Sequence, residues 1–359
     1  MTSISECPMK TALFAALIGA AAITGPTSAS ADDFRLRIGA GHADVITYVK
    51  VLKDFFQPEV AKRVKERTGH TITWVEAYGG SVAKLNEVLG AVGSNILDIG
   101  GISVVFESTK LYLHGFSFYF PFTSGDTRLI VKAARKTYDT VPELKDALVK
   151  NNQQLLAITG TGDYNLITKF PWKSYSDLAG KKIGSAGPIL GWIKASGAIP
   201  VNSSLPDSYL GLQTNVYDGY IVHTPSIYGF KLYEVASNLG LVHFGALPLN
   251  LITVNSNTWR RLPESVRKVI EEVSLEYEEK ASAAAVKDDE HGLEAMRKAG
   301  INIFEVSEET RKAWASTLKA IPAAAIAEGK NRGVPMDRVL ATYKAALAEQ
   351  GIPVALELE

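Results

Sequence analysis

Cysteine is all but missing from this chain: Cys7 is the single one in 359 residues. A lipid-anchor cysteine would follow an apolar run, and Cys7 precedes one, so lipidation is not expected. Past that position no thiol remains, which excludes disulfides, thiolate metal sites and a cysteine nucleophile. An excess of one charge is missing too. The 38 Lys and Arg are matched by 38 Asp and Glu, which argues against a nucleic-acid partner, since phosphate contacts need a basic face. Long apolar runs are also lacking. The longest, Thr11–Thr24, has 14 residues, short of the roughly 20 needed to cross about 30 Å of hydrocarbon. Phosphate and catalytic signatures are equally absent. Gly160-Thr161-Gly162 lacks a third glycine, Gly184–Gly187 has the wrong spacing for a phosphate loop, and no G-x-S-x-G or H-E-x-x-H occurs. His70, His114, His243 and His291 are scattered and suggest no metal set. No catalytic residue, metal or cofactor is expected.

What is present begins with a leader. Met1–Lys10 is short and polar, Thr11–Thr24 is apolar, and Ser28-Ala29-Ser30-Ala31 has the small residues of a cleavage site. This order reads as a signal peptide over residues 1–31, leaving Asp32 as the start of an exported, periplasmic protein. About 328 residues then remain, which suggests two lobes.

Phe34–Ile38 alternates as a half-buried strand does and ends in Gly39-Ala40-Gly41-His42. Residues 45–68 are expected to be helical, with Val45, Tyr48, Leu52, Phe55 and Phe56 on one face. Thr71–Ala77 reads as a strand stopping at Tyr78-Gly79-Gly80, followed by a helix from Ser81 and a strand over Leu97–Ser103. Such alternation implies right-handed crossovers and a mostly parallel sheet. Ligands of such sheets sit beyond the carboxyl ends of the strands, where His42, Tyr78 and Ser103 lie. Leu155–Thr161, Lys181–Ser185 and Asp218–His223 form a second set of strands, and Phe244–Asn255 returns the chain to the first lobe. After Pro263 a helical pattern runs to Gly300, with Val266, Val269, Ile270, Val273 and Tyr277 as its apolar stripe. Its length of about 55 Å exceeds one lobe, so it is expected to span both, with a bend near Gly292. Asp288-Asp289-Glu290 would be an exposed face of it. The fold expected is an α/β clamshell of two lobes with mostly parallel sheets and one long bridging helix. Lobe I takes 32–160 and about 247–280. Lobe II takes 161–246 and about 281–359, with the C-terminal helices.

The run "LQTNVYDGYIV" followed by "FKLYEV", within residues 212–235, resembles the signature of extracytoplasmic solute receptors of TRAP (tripartite ATP-independent periplasmic) transporters. "GHADVITY", "ERTGHTITWVEAYGG", "SYSDLAGKKI" and "NSNTWRRLPESVRKVI" fit the same family in order and spacing, so the similarity extends over nearly the whole chain after the leader. The resemblance implies a periplasmic-binding-protein fold that closes over a small organic solute and hands it to TRAP permease subunits in the membrane. A sensory receptor using the same clamshell is the first alternative. A periplasmic lyase or hydrolase is the second, and it lacks a visible base.

The resemblance also implies an arginine that grips a substrate carboxylate directly after the isoleucine of "GKKI", and here that position is Gly184. A second cationic position falls on Tyr164 and a family asparagine on Val222. All three departures make the wall less polar, and a buried arginine without an anion would be costly. The ligand is therefore expected to be neutral, aromatic or an atypically held acid, met by His42, Tyr78, Ser103, Tyr164, Asn165, Gly184, Ser185, Trp192, Tyr220, Val222 and His223. Gly184 would enlarge the pocket, and Trp192, Tyr220 and Tyr228 could offer flat faces to an aromatic guest. A carboxylate held by a relocated cation such as Lys194 is the competing expectation.

Overall fold

The computed structural model describes residues 32–356 and 358; the expected leader, 1–31, lies outside them. In chain order the strands are β1 (Asp33–Ala40), β2 (Thr71–Ala77), β3 (Ile99–Ser103), β4 (Gln153–Thr159), β5 (Tyr164–Thr168), β6 (Lys182–Ser185), β7 (Ile199–Asn202), β8 (Gly219–His223), β9 (Asn238–Leu241), β10 (Asn250–Asn255) and β11 (Asn302–Glu305). The helices are α1 (Thr47–Val51), α2 (Gln57–Thr68), α3 (Val88–Gly93), α4 (Thr127–Thr140), α5 (Pro142–Lys150), α6 (Ser208–Gln213), α7 (Thr224–Gly229), α8 (Ser256–Arg261), α9 (Glu264–Lys298), α10 (Glu308–Ser316), α11 (Ala320–Asn331) and α12 (Met336–Glu349).

Two sheets result, one per lobe, with orders β2-β1-β3-β10-β4 and β11-β9-β5-β8-β6-β7. Each contains one strand that runs antiparallel to both its neighbours, β10 in the first and β5 in the second. Both are the strands entered straight after the chain crosses from one sheet to the other, at residues 160–163 and 242–249. The remaining pairs are parallel.

The alternation in β1 buries Leu36 and Ile38 under α9 and the 47–68 helical run, in a core that also takes Phe56, Ile252, Val269 and Tyr277. That run contains a π turn over Leu52–Phe56 between α1 and α2. Val45 is 65% exposed and precedes it, so the apolar face begins later than the periodicity suggests. Residues 81–87 are turns and bends, and the helix expected from Ser81 starts only at Val88. Only the last six residues of 244–255 are a strand, because the first part is the crossing itself.

The long helix α9 is continuous over 35 residues, through Gly292, where a bend is expected. Its first half packs Val266, Val269, Ile270, Val273 and Tyr277 into the first core. Met296, near its end, sits with Ile227, Leu239 and Tyr217 in a core under the second sheet. Hence α9 does bridge the two sheets. Of the C-terminal helices, α10 sits against residues 192 and 242, whereas α12 lies along α4, tied by Lys136–Glu349, while its Arg338 pairs with Glu143 of α5. Val339, Leu340, Tyr343 and Leu347 of α12 are the buried stripe that draws it there. Among the described residues no helix is long and apolar enough to cross a membrane.

Candidate functional site

The two crossings run side by side. Thr161 N–H donates to the Leu247 carbonyl at 2.9 Å, Tyr164 N–H to Gly245 at 3.2 Å, and Phe244 N–H returns to Tyr164 at 3.1 Å. Asp163 fastens them to a third element. Its Oδ1 accepts from Gly245 N–H at 3.0 Å, its Oδ2 meets His243 Nδ1 at 2.6 Å, and its own N–H donates to Asp289 Oδ2 of α9 at 2.8 Å. His243, in the left-handed region at φ +55°, also reaches Glu305 of β11 through Nε2 at 3.0 Å. Hydrogen bonding to Asp163 raises its pKa above the ordinary imidazole value. The acidic run of α9 is therefore no plain exposed face. Asp288 accepts from Thr47 at 2.6 Å, and the Asp289 carboxyl fits against Gly162, where a Cβ would collide with it. Burial pushes the Asp289 carboxyl well above the usual range.

Beside these crossings, between the carboxyl ends of both sheets, lies a narrow cavity of about 60 Å³. From the first sheet and its helices come His42, Ile46, Thr47, Tyr48, Ser103 and Asn250. The second contributes Tyr164, Ser185, Tyr220, Val222 and His223, while Val105, Phe106, Ile189, Leu205 and Leu249 make the apolar remainder of the wall. Among the described residues no Lys, Arg, Asp or Glu lines it. Its two imidazoles are neutral at ordinary pH: burial lowers His42 to about 4 and His223 to about 3. His42 Nδ1 lies 3.1 Å from Tyr48 Oη, and His223 Nε2 lies 3.1 Å from Ser226 Oγ. His223 Nδ1 is enclosed without a partner. The Tyr164 ring stands edge-on to His223 at 5.5 Å, and burial raises its hydroxyl pKa.

Of the residues expected to meet a ligand, His42, Ser103, Tyr164, Ser185, Tyr220, Val222 and His223 line this cavity. Tyr78, Asn165, Gly184 and Trp192 lie outside its lining. Tyr78 donates to Gln57 Oε1 at 2.8 Å beside the first core. Asn165 is a staple, donating to Thr224 Oγ1 at 3.1 Å and accepting from His243 N–H at 2.9 Å. Trp192 is fully buried, with its indole N–H on the Phe118 carbonyl at 2.9 Å and its ring 4.9 Å from Phe244. Gly184 does not enlarge the pocket. A Cβ there would stand 2.6 Å from Cδ2 of Tyr220 and 3.1 Å from Tyr217, so neighbouring rings already fill the space. Tyr228 stacks on Tyr233 at 6.0 Å, and Lys194 borders a surface groove with Tyr112 and Tyr119.

Asn250 and Tyr48 were not among the expected residues. The register explains Asn250, which sits opposite Ser103 in the ladder. A strand boundary placed at Phe244 hides that pairing. Tyr48 reads as a core residue from its helical spacing, and it is buried, yet its hydroxyl faces His42.

A model of the DctP family, bacterial extracellular solute-binding protein family 7, matches residues 53–328. The chain belongs to this family. It is a family of binding proteins, not of enzymes. Among curated relatives, the sialic acid-binding periplasmic protein SiaP of Vibrio cholerae is 30% identical over 44% of this chain and 50% of its own length. The C4-dicarboxylate-binding protein DctP of the same organism is 28% identical over 50% of this chain and 54% of its own. The chain thus spans about half the length of the curated relatives it matches. Solved structures agree over more of the chain. A TRAP solute-binding protein from Rhodoferax ferrireducens, in complex with copurified benzoate, has a TM-score of 0.79 at 18% identity, covering 88% of this chain and 98% of its own. One from Bordetella bronchiseptica, with bound mandelate, has a TM-score of 0.75 at 21% identity, covering 88% and 99%. At these identities the likeness shows the shared two-lobed fold.

Proposed function

We propose that this family member is a periplasmic receptor that closes over a small, largely apolar aromatic solute and delivers it to TRAP permease subunits. The observation that carries this reading is the cavity wall. It is lined by aromatic and aliphatic side chains, its polar groups are uncharged, and among the described residues no guanidinium or ammonium group joins them. In such a site flat apolar surface supplies most of the affinity, and a few placed polar groups fix orientation. His42, Tyr48, Ser103, Tyr164, His223 and Asn250 are those groups. Tyr220 fills the place beside Gly184 and so shapes the wall, which suits a guest gripped by shape more than by charge. The benzoate and mandelate complexes of the two similar structures lend this class support. Lobe boundaries at the two crossings and within α9 would make these three segments the hinge, and residues 1–31 would be the leader that takes the chain to the periplasm.

Native mass spectrometry of the receptor as purified from cells grown on mixed organic nutrients tests the reading directly. A retained aromatic solute of low mass supports it, and a thermal-shift panel should then show the largest stabilisation with aromatic monoacids and their neutral analogues. Tight retention of a C4-dicarboxylate, with no response to aromatic compounds, would overturn it.

A further inference from the structure

We infer that the cleft takes a monocarboxylic acid together with one proton, with the carboxyl group held between His42 and His223. This rests on the reading of the cleft as a site for aromatic solutes and adds how their polar end is carried.

The two imidazoles enter the cavity from opposite sheets, His42 from the loop after β1 and His223 from the end of β8. Each has one nitrogen engaged by a hydroxyl, at 3.1 Å in both cases, which leaves the other for a guest. The free nitrogen of His223, Nδ1, is closed off from solvent with nothing to bond to, a state that is costly unless a ligand meets it. A neutral imidazole presents one donor and one acceptor, and the hydroxyl partners of both rings can play either role. The pair can therefore offer one donor and one acceptor together, which matches a protonated carboxyl group.

The surroundings favour the extra proton. The groups facing the pair are Tyr48, Tyr164 and Ser226, all uncharged hydroxyls, and the other histidine. On α9, Asp288 accepts from Thr47 and Asp289 Oδ2 from the Asp163 N–H, and neither carboxyl lines the cavity. Among the described residues no Lys or Arg lines the wall. A bare carboxylate would be a buried unpaired charge. It would in turn raise the basicity of the imidazole beside it. Carboxylate, receptor and one proton from solvent then combine into a complex with no net charge gained. One N–H or O–H bond forms in the complex as one breaks in the hydronium ion or buffer acid that gives the proton, and nothing is oxidised or reduced. A second carboxylate would find no second pair of imidazoles, so the class is limited to monoacids.

Isothermal titration of the full receptor with benzoate, benzamide and succinate, in buffers of differing ionisation heat between pH 6 and 9, tests this. Benzoate should bind with uptake of close to one proton, and its affinity should fall about tenfold per pH unit over the range above the pKa values of the free partners and below that of the complex. Benzamide should bind without proton uptake. His223→Asn should lose the pH dependence of benzoate binding and not only its strength. His42→Asn provides the same reading should the first variant fail to fold, as judged by its unfolding midpoint. Benzoate binding without proton uptake, independent of pH, would overturn the inference and leave the aromatic-solute reading standing. Tight binding of succinate with neither aromatic compound, or no binding of any of the three, would overturn both.

Discussion

At Gly184 the absence of a side chain does not mean the presence of space. From the sequence, a glycine in place of a long cation reads as a wider pocket, and that inference fails because it treats the position as facing a void. Tyr220 and Tyr217 lie where its Cβ would point, and β-sheet register sets Gly184 opposite Tyr220. Closely packed rings punish added atoms by about 1–3 kcal/mol. Gly184→Ala should therefore lower stability by that amount in urea unfolding, and Tyr220→Leu in the same chain should recover part of the loss. An alanine variant as stable as the parent would show that the rings yield freely. Residues named from strand ends, such as His42, Ser103 and His223, reach the cavity because a strand end is a topological fact that sequence patterning reveals. Asn165 and Trp192 stand outside it because adjacency in sequence does not say which face of a strand or helix meets solvent.

Among the elements, the crossing strands and α9 carry the least legible chemistry. His243 and Asp163 are 80 residues apart in sequence and Glu305 lies 62 beyond His243. No local pattern could join them, and a histidine outside any motif reads as noise. Their contact makes a prediction with a definite sign. The folded-state pKa of His243 is raised, first by its hydrogen bond to Asp163. Its stabilising contribution is thus fully present below the unfolded value of about 6.5 and is lost as pH rises through the folded value. The parent should lose thermal stability over that window. His243→Gln should show a flatter profile there in scanning calorimetry, and parallel profiles would place the pH dependence elsewhere. The long helix was far more legible, since its apolar stripe repeats at helical spacing for many turns. The same spacing gave no warning that Asp289 turns inward, because the reason, a glycine at 162, lies on another element.

For the molecule as a whole, three covalent connections stitched at Asp163 join the sheets, and the cavity lies beside them. Closing about such a waist moves the far rims most. A ligand can favour that motion only by binding the closed form better than the open one. Small-angle scattering should show a smaller radius of gyration with a saturating aromatic monoacid than without it. Superimposable profiles, with binding verified by calorimetry, would mean that capture needs no closure. The two-lobed α/β plan was readable from strand and helix alternation and from family-like segments in order. The placement of α12 on α4 was not, since the buried stripe of α12 does not name its partner.

The reversed strand in the first sheet has a consequence for how this protein comes into being. Because β10 lies between β3 and β4, β4 has no ladder joining it to the rest of the first sheet until residues 250–255 arrive. The first sheet is therefore completed only after strands β5 to β9 of the second have been made. Until then β3 presents an open sheet edge, ready to pair with any strand that reaches it.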